Sequence, residues 1–199
     1  IYQQPTLYFK NYQSLGNTIN GFLARSFAFL QTVYAISYEA FIFLKQSEII
    51  HKDKRIIFRY KMRYCIGHGL FIRWPYLKRL NFFPTPIEDT RIGHIVSYLK
   101  EDIRLLPVFD NVEVAHGIIN MIRQSSTWFL GEAMFLKDFK IAKRIKPILI
   151  VQGIWISFYK FYRNTLWVIK GPVFAVFIIW LFLTGNFLFI FPVIFLFLY

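Results

Sequence analysis

Apolar residues recur at helical spacing in three places along the chain, and charge disappears near its end. From Asn20 to Leu44 the residues Phe22, Phe29, Val33, Ile36, Ala40 and Phe43 fall near one face, which predicts a single long helix. A basic run, Lys52–Arg63, carries six cations against Asp53 and leads into the apolar stretch Tyr64–Ile72, interrupted by Gly67, His68 and Gly69. Glycine in an apolar run permits a tight bend or a close backbone approach, so a bent strand is expected there. After the turn formers Asn81, Pro84, Thr85 and Pro86, Glu88-Asp89-Thr90 opens a helix with Ile92, Ile95, Val96 and Leu99 along its apolar face. Short apolar runs over Ile103–Val114 have strand character. This alternation of helix and strand predicts an α/β unit over 1–116.

A different pattern follows. Ile118–Lys146 places Ile118, Ile122, Phe129, Ala133 and Leu136 at mostly helical spacings and ends in Lys137, Lys140, Lys143, Arg144 and Lys146. Pro147–Ile169 is apolar but broken by Lys160 and Arg163, with Trp155, Tyr159, Tyr162 and Trp167 among its rings. Rings and cations together favour the headgroup layer, so 117–171 is read as amphipathic interfacial helices. The last 28 residues, Pro172–Tyr199, hold 8 of the 24 Phe and no charged residue. A span needs about 20 apolar residues, so this tail crosses a bilayer once, or forms a helical hairpin if the chain continues. Gly185 and Asn186 divide it.

Composition sharpens the membrane reading. The chain of 199 residues is 56% hydrophobic and 21% aromatic, only 18% charged, and carries a formal charge of +13. Disordered and collagen-like classes are excluded by so many bulky apolar residues. The cations crowd the expected membrane helices, which suits an anionic surface and places that side in the cytoplasm. That position also makes nucleic acid the less economical partner. Cys65 alone gives no internal disulfide. The start at Ile1 without methionine is consistent with a piece of a longer chain.

Two places have the residue types for chemistry. The pair Glu88-Asp89 follows a Pro-rich turn, where a carboxylate facing a cleft can take a proton from a nucleophilic hydroxyl; an aspartate there equally serves as a helix cap. Gln124 and Trp128, four apart, share a helix face on which an indole can stack a sugar ring while the amide bonds its hydroxyls. An interfacial Trp beside a surface Gln is the alternative. His51, His68, His94 and His116 lack the spacing of a zinc motif, and no phosphate loop, nucleophile elbow or dinucleotide turn is present.

Taken in order, these pieces resemble the membrane-bound family-two glycosyltransferases, the group containing cellulose, chitin and hyaluronan synthases. Gly67-His68-Gly69-Leu70-Phe71-Ile72-Arg73 is similar to the glycine-initiated strand near the acceptor. Phe83-Pro84 through Glu88-Asp89-Thr90 resembles the segment ending in Thr-Glu-Asp, and Gln124-Ser125-Ser126-Thr127-Trp128 resembles Gln-x-x-Arg-Trp on an interfacial helix. Gln3-Gln4-Pro5 with Asn11 is similar to the stretch that follows the metal-binding Asp-x-Asp, which this sequence lacks.

The resemblance implies the acceptor-side part of a GT-A-like domain, a nucleotide-sugar donor, a lipid-linked or glycan acceptor, and inverting transfer at the cytoplasmic side of the plasma membrane. It assigns Asp89 as catalytic base and Glu88 as an orienting group. It places Gln124 and Trp128 in the substrate pocket and Gly67, His68 and Gly69 beside the acceptor. A divalent cation, Mg²⁺ or Mn²⁺, would be held mainly by upstream residues, on this chain or on a donor-half polypeptide, so the isolated chain is expected to be inactive. Thr127 stands in the place of the family's arginine, with Arg123 one turn away as a substitute, and Ile87 replaces the threonine. These departures leave a non-catalytic membrane subunit, or a degenerate enzyme, as the alternative.

Overall fold

Residues 1–52, 62, 63, 65 and 67–189 are described by a computed structural model, which divides into two units, Ile1–Phe158 and Tyr159–Tyr199. Most of the basic run, Tyr64 and Ile66 of the expected strand, and 190–199 of the tail lie outside the described residues.

In the first unit β1 (Tyr2–Gln3) and β2 (Thr6–Leu7) are separated by Gln4-Pro5, and each joins a different sheet. β1 lies between β3 (Leu70–Phe71), antiparallel with Gln3 opposite Leu70, and β4 (Arg104–Leu105), parallel with Gln3 opposite Leu105. β2 pairs in parallel with β5 (Asp110–Asn111). The α/β expectation therefore holds only in outline. Strands appear in both stretches where the pattern placed them and also at residues 2–7, where it placed none, but each is two residues long and helices dominate the described chain. The layered sheet of a GT-A domain is not formed among the described residues.

The long helix expected from Asn20 is α1 (Ile19–Tyr34), a π-turn (Ala35–Glu39) and α2 (Ala40–Lys52). Thr18 caps it, its hydroxyl accepting the Gly21 N–H. The buried face is Gly21, Ala24, Ala28 and Thr32, continued by Ala35, whereas Phe22, Phe29, Val33 and Ile36 are exposed. Small residues let the helix backbone approach the unit closely, and the Thr32 hydroxyl accepts the Tyr8 N–H at 3.0 Å. The π-turn adds a residue, rotating the buried stripe by about 100° so that Phe43 and Ile50 continue it.

Beyond α3 (Trp74–Arg79), α4 (Glu88–Tyr98) starts where the acidic pair predicted. Its burial is not one-sided as expected, because every residue from Thr90 to Tyr98 is buried. The segment over 118–146 is two helices, α5 (Ile118–Ala133) and α6 (Phe135–Ile145), parted at Met134. The interfacial helix expected over 147–169 and the tail from 172 are one helix, α7 (Ile150–Leu183), running through Pro172. Its first turns belong to the first unit, where Gln152 donates to the Tyr98 carbonyl at 2.9 Å and the Tyr98 hydroxyl meets Ser157 at 2.8 Å. In the second unit α7 ends at Leu183, closed by Asn186 N–H to the Leu181 carbonyl and by Gly185 at φ +72°. Among the described residues two helical stretches are long and apolar enough to cross a membrane, Ile19–Lys52 and Ile150–Leu183, with mean hydropathy 1.5 and 2.2.

Candidate functional site

The site is assembled from three chain segments that meet at the start of α4. The first is the bend before β3. Gln3 Nε2 donates to the His68 carbonyl at 2.7 Å, and the Gln4 N–H donates to the Gly69 carbonyl at 2.9 Å. Gly69 has φ +62°, and a Cβ there would lie 2.7 Å from that of Gln4, so only glycine fits. The bend expected from Gly67-His68-Gly69 is thus held by the N-terminal Gln3-Gln4.

The second segment is the turn into α4. Asn81 and Phe82 are left-handed, the Thr85-Pro86 peptide is cis, and Ile87 takes φ +58° and ψ +61° at the N-cap position. An isoleucine cannot cap through its side chain, so the amides of the first turn look to the acids behind it. Asp89 is half-buried and Glu88 exposed. A Cβ on Gly67 would come within 3.0 Å of Asp89 Oδ2, so the carboxylate lies directly against the Gly67 backbone. Burial pushes the Asp89 pKa above the usual carboxylate range; the amides of Thr90 and Gly67 partly offset this and the charge of Glu88 adds to it. A carboxylate raised in this way is a stronger base than a solvated one, and it still serves the helix start.

The third segment is α5. Gly131 lies against Ile87 and Thr90, where a Cβ would meet Ile87 Cγ2 at 2.8 Å. Gln124, Trp128 and Gly131 are spaced i, i+4 and i+7, so one stripe of α5 runs from the α4 start past the indole to the amide. Gln124 and Trp128 are both half-buried, and Gln124 Oε1 is buried without a hydrogen-bond partner among the described residues. A buried amide oxygen without a donor is costly, and a ligand hydroxyl would satisfy it. Arg123 and Thr127 face outward, and the Thr127 hydroxyl donates to the Arg123 carbonyl at 2.9 Å.

Sequence reasoning missed a polar cluster beneath this site. Asp138 on α6, fully buried, receives Arg91 Nε at 2.8 Å and faces His94 Nδ1 at 3.0 Å. Arg91 also donates to the Thr85 carbonyl, tying the turn before Asp89 to α6. Burial, partly offset by Arg91, pushes the Asp138 pKa up to about 6. The available signal was Asp138 itself, the one acid inside a run of cations. The His94 ring belongs to this cluster. The other adjacent acidic pair, Glu101-Asp102, is partly buried: Asp102 accepts the Ser47 hydroxyl at 2.5 Å and Arg104 Nε at 2.8 Å.

Among the described residues no group of three His, Cys, Asp or Glu side chains could hold a metal ion. The residues gathered here therefore do not themselves fit a divalent cation. No family model, no curated protein and no solved structure matches the chain.

Proposed function

We propose that the chain is the acceptor-side portion of an inverting membrane glycosyltransferase, with a site formed by Asp89, the Gly67–Gly69 bend and the Gln124–Trp128 stripe, and with α7 crossing the membrane. The observation that carries this reading is the placement of Asp89: half-buried, seated against a glycine backbone, with its pKa raised. As the acceptor hydroxyl oxygen bonds to the anomeric carbon of a nucleotide sugar, its proton passes to an Asp89 carboxylate oxygen. The bond from that carbon to the diphosphate oxygen breaks, the nucleoside diphosphate leaves, and the configuration inverts. Glu88 orients water or hydroxyls at the rim. Gln124 Oε1 accepts a sugar hydroxyl, Trp128 stacks a ring face, and the exposed Arg123 offers a cation to the diphosphate. His68 and the bend backbone border the acceptor. The divalent cation of the resemblance finds no ligand set here, and no step is routed through it.

Replacement of Asp89 by Asn in the complete protein should lower sugar transfer roughly 100- to 10,000-fold while membrane insertion and folding persist. Near-normal transfer would remove Asp89 from the mechanism. A second reading, a non-catalytic membrane subunit, is favoured by one observation: where the family has arginine, Thr127 spends its hydroxyl on its own helix. Measuring sugar-nucleotide hydrolysis and transfer by the complete protein separates the two, since a subunit of this kind turns over no donor.

A further inference from the structure

We propose that the outer face of α6 is a docking surface for the anionic headgroups of a phospholipid leaflet; this rests on the reading of α7 as a membrane helix and not on sugar transfer. At about 100° per residue, Leu136, Lys137, Lys140, Lys143 and Arg144 occupy an arc of about 120°, and all five are exposed. The opposite side of α6, Phe135, Asp138 and Ala142, is buried. The one acid of α6 thus points inward and pairs with Arg91; of the outer face only Lys137 feels its charge.

Among the described residues no acid forms an ion pair with the cations of that face. Four surface cations elsewhere meet acids: Lys10 pairs with Glu113, Lys52 with Glu48, Arg79 with Glu101 and Arg104 with Asp102. Lys137, Lys140, Lys143, Arg144 and Lys146 have no such ion pair among the described residues. Immediately after them Leu149 is 70% exposed and Val151 66%, with Ile150 and Ile154 exposed as well, although Gln152 and Ile156 pack inward. A fixed cationic face followed within a few residues by a fixed apolar one matches the two layers of a leaflet, headgroup phosphate and acyl chain. A nucleic acid would match the cations but leave the apolar face unused.

The test places the full chain in nanodiscs of phosphatidylcholine alone or with about 30% phosphatidylglycerol and follows amine-reactive labelling of Lys137, Lys140 and Lys143. Labelling should slow several-fold in the anionic discs and recover in about 0.5 M NaCl, while Lys10 and Lys78 react alike in both. Equal rates in the two discs, protection that salt does not relieve, or protection conferred instead by an oligonucleotide in lipid-free detergent would each overturn the proposal. A second measurement is backbone hydrogen exchange of α6. Phosphatidylglycerol should slow it in the native chain and leave it unchanged when Lys137, Lys140, Lys143 and Arg144 are all replaced by Gln, a change confined to exposed side chains. Persistent slowing in that variant would also overturn it. Neither readout depends on catalysis, so failure of the glycosyltransferase reading leaves both intact.

Discussion

α4 and the part of α7 beyond Lys170 invert the usual relation between composition and burial. α4 carries Arg91, His94 and Ser97 and is buried from Thr90 onward; α7 from Gly171 is wholly apolar, yet Val176 is 67% exposed and Leu183 83%. In α4 the polar groups are inside because each has a partner: Arg91 and His94 have Asp138, and the Ser97 hydroxyl accepts the Arg63 N–H at 2.8 Å and donates to the Gly93 carbonyl at 2.7 Å. In α7 the apolar side chains need no protein cover if their solvent is hydrocarbon, where leucine gains nothing by hiding from lipid. Burial within this chain thus reports partners in one helix and surroundings in the other.

The comparison breaks first at Asp138. Replacing it by Ala strands Arg91 in the interior, and a loss of about 3–5 kcal/mol is expected, read by denaturant unfolding of the full chain in detergent. A loss below about 1 kcal/mol would mean that α4 is held without its partners. Next, Arg in place of Val176 should cost membrane insertion of the α7 segment about 2.5–3.5 kcal/mol, measured with glycosylation tags in microsomes. Unchanged insertion would place that stretch of α7 outside the hydrocarbon.

The smallest and most specific effect is the pH dependence. Burial raises the Asp138 pKa to about 6 despite Arg91. A raised carboxyl pKa stabilises the fold while the proton stays on, so its contribution is complete below about 3.9 and is lost as pH climbs through about 6. Unfolding curves between those limits should show the native protein weakening with rising pH relative to Asp138→Asn. Parallel curves would show that Asp138 binds no more proton in the fold than in the unfolded chain, so that its pKa is not raised.

Local chemistry explains which features were legible. The start of α4 was readable because a proline-rich turn and an acidic pair act within a few residues, and the bend at Gly67–Gly69 because only glycine tolerates such close backbone contact. The same holds for Asn81, which takes the left-handed conformation its side chain tolerates. The Asp138 cluster was not readable, because its members lie 44 and 47 positions apart and pair only once α6 has packed on α4. Neither was the break at Met134, which has no glycine or proline to mark it, nor the passage of α7 through Pro172, since proline usually ends a helix. In α1, the large apolar residues drew the eye to one face, but the alanines and Thr32 made the contact. Of the site, the Gly67–Gly69 bend, Asp89 and the stripe of Gln124 and Trp128 were visible as separate pieces, but the contact of Gly67 with Asp89 was not. Gly131, which brings α5 to Ile87 and Thr90, gave no such notice.

That contact between Gly131 and Ile87 also fixes the order in which the chain can change. A side chain at 131 collides with Ile87 Cγ2, whereas Ile87, left-handed and β-branched, sits in a strained conformation costing roughly 1–3 kcal/mol that glycine would relieve. The two positions form a one-way route: position 87 must shrink before 131 can grow. A lineage carrying Ala at 131 beside Ile at 87 would have had to rebuild the turn that aims Asp89.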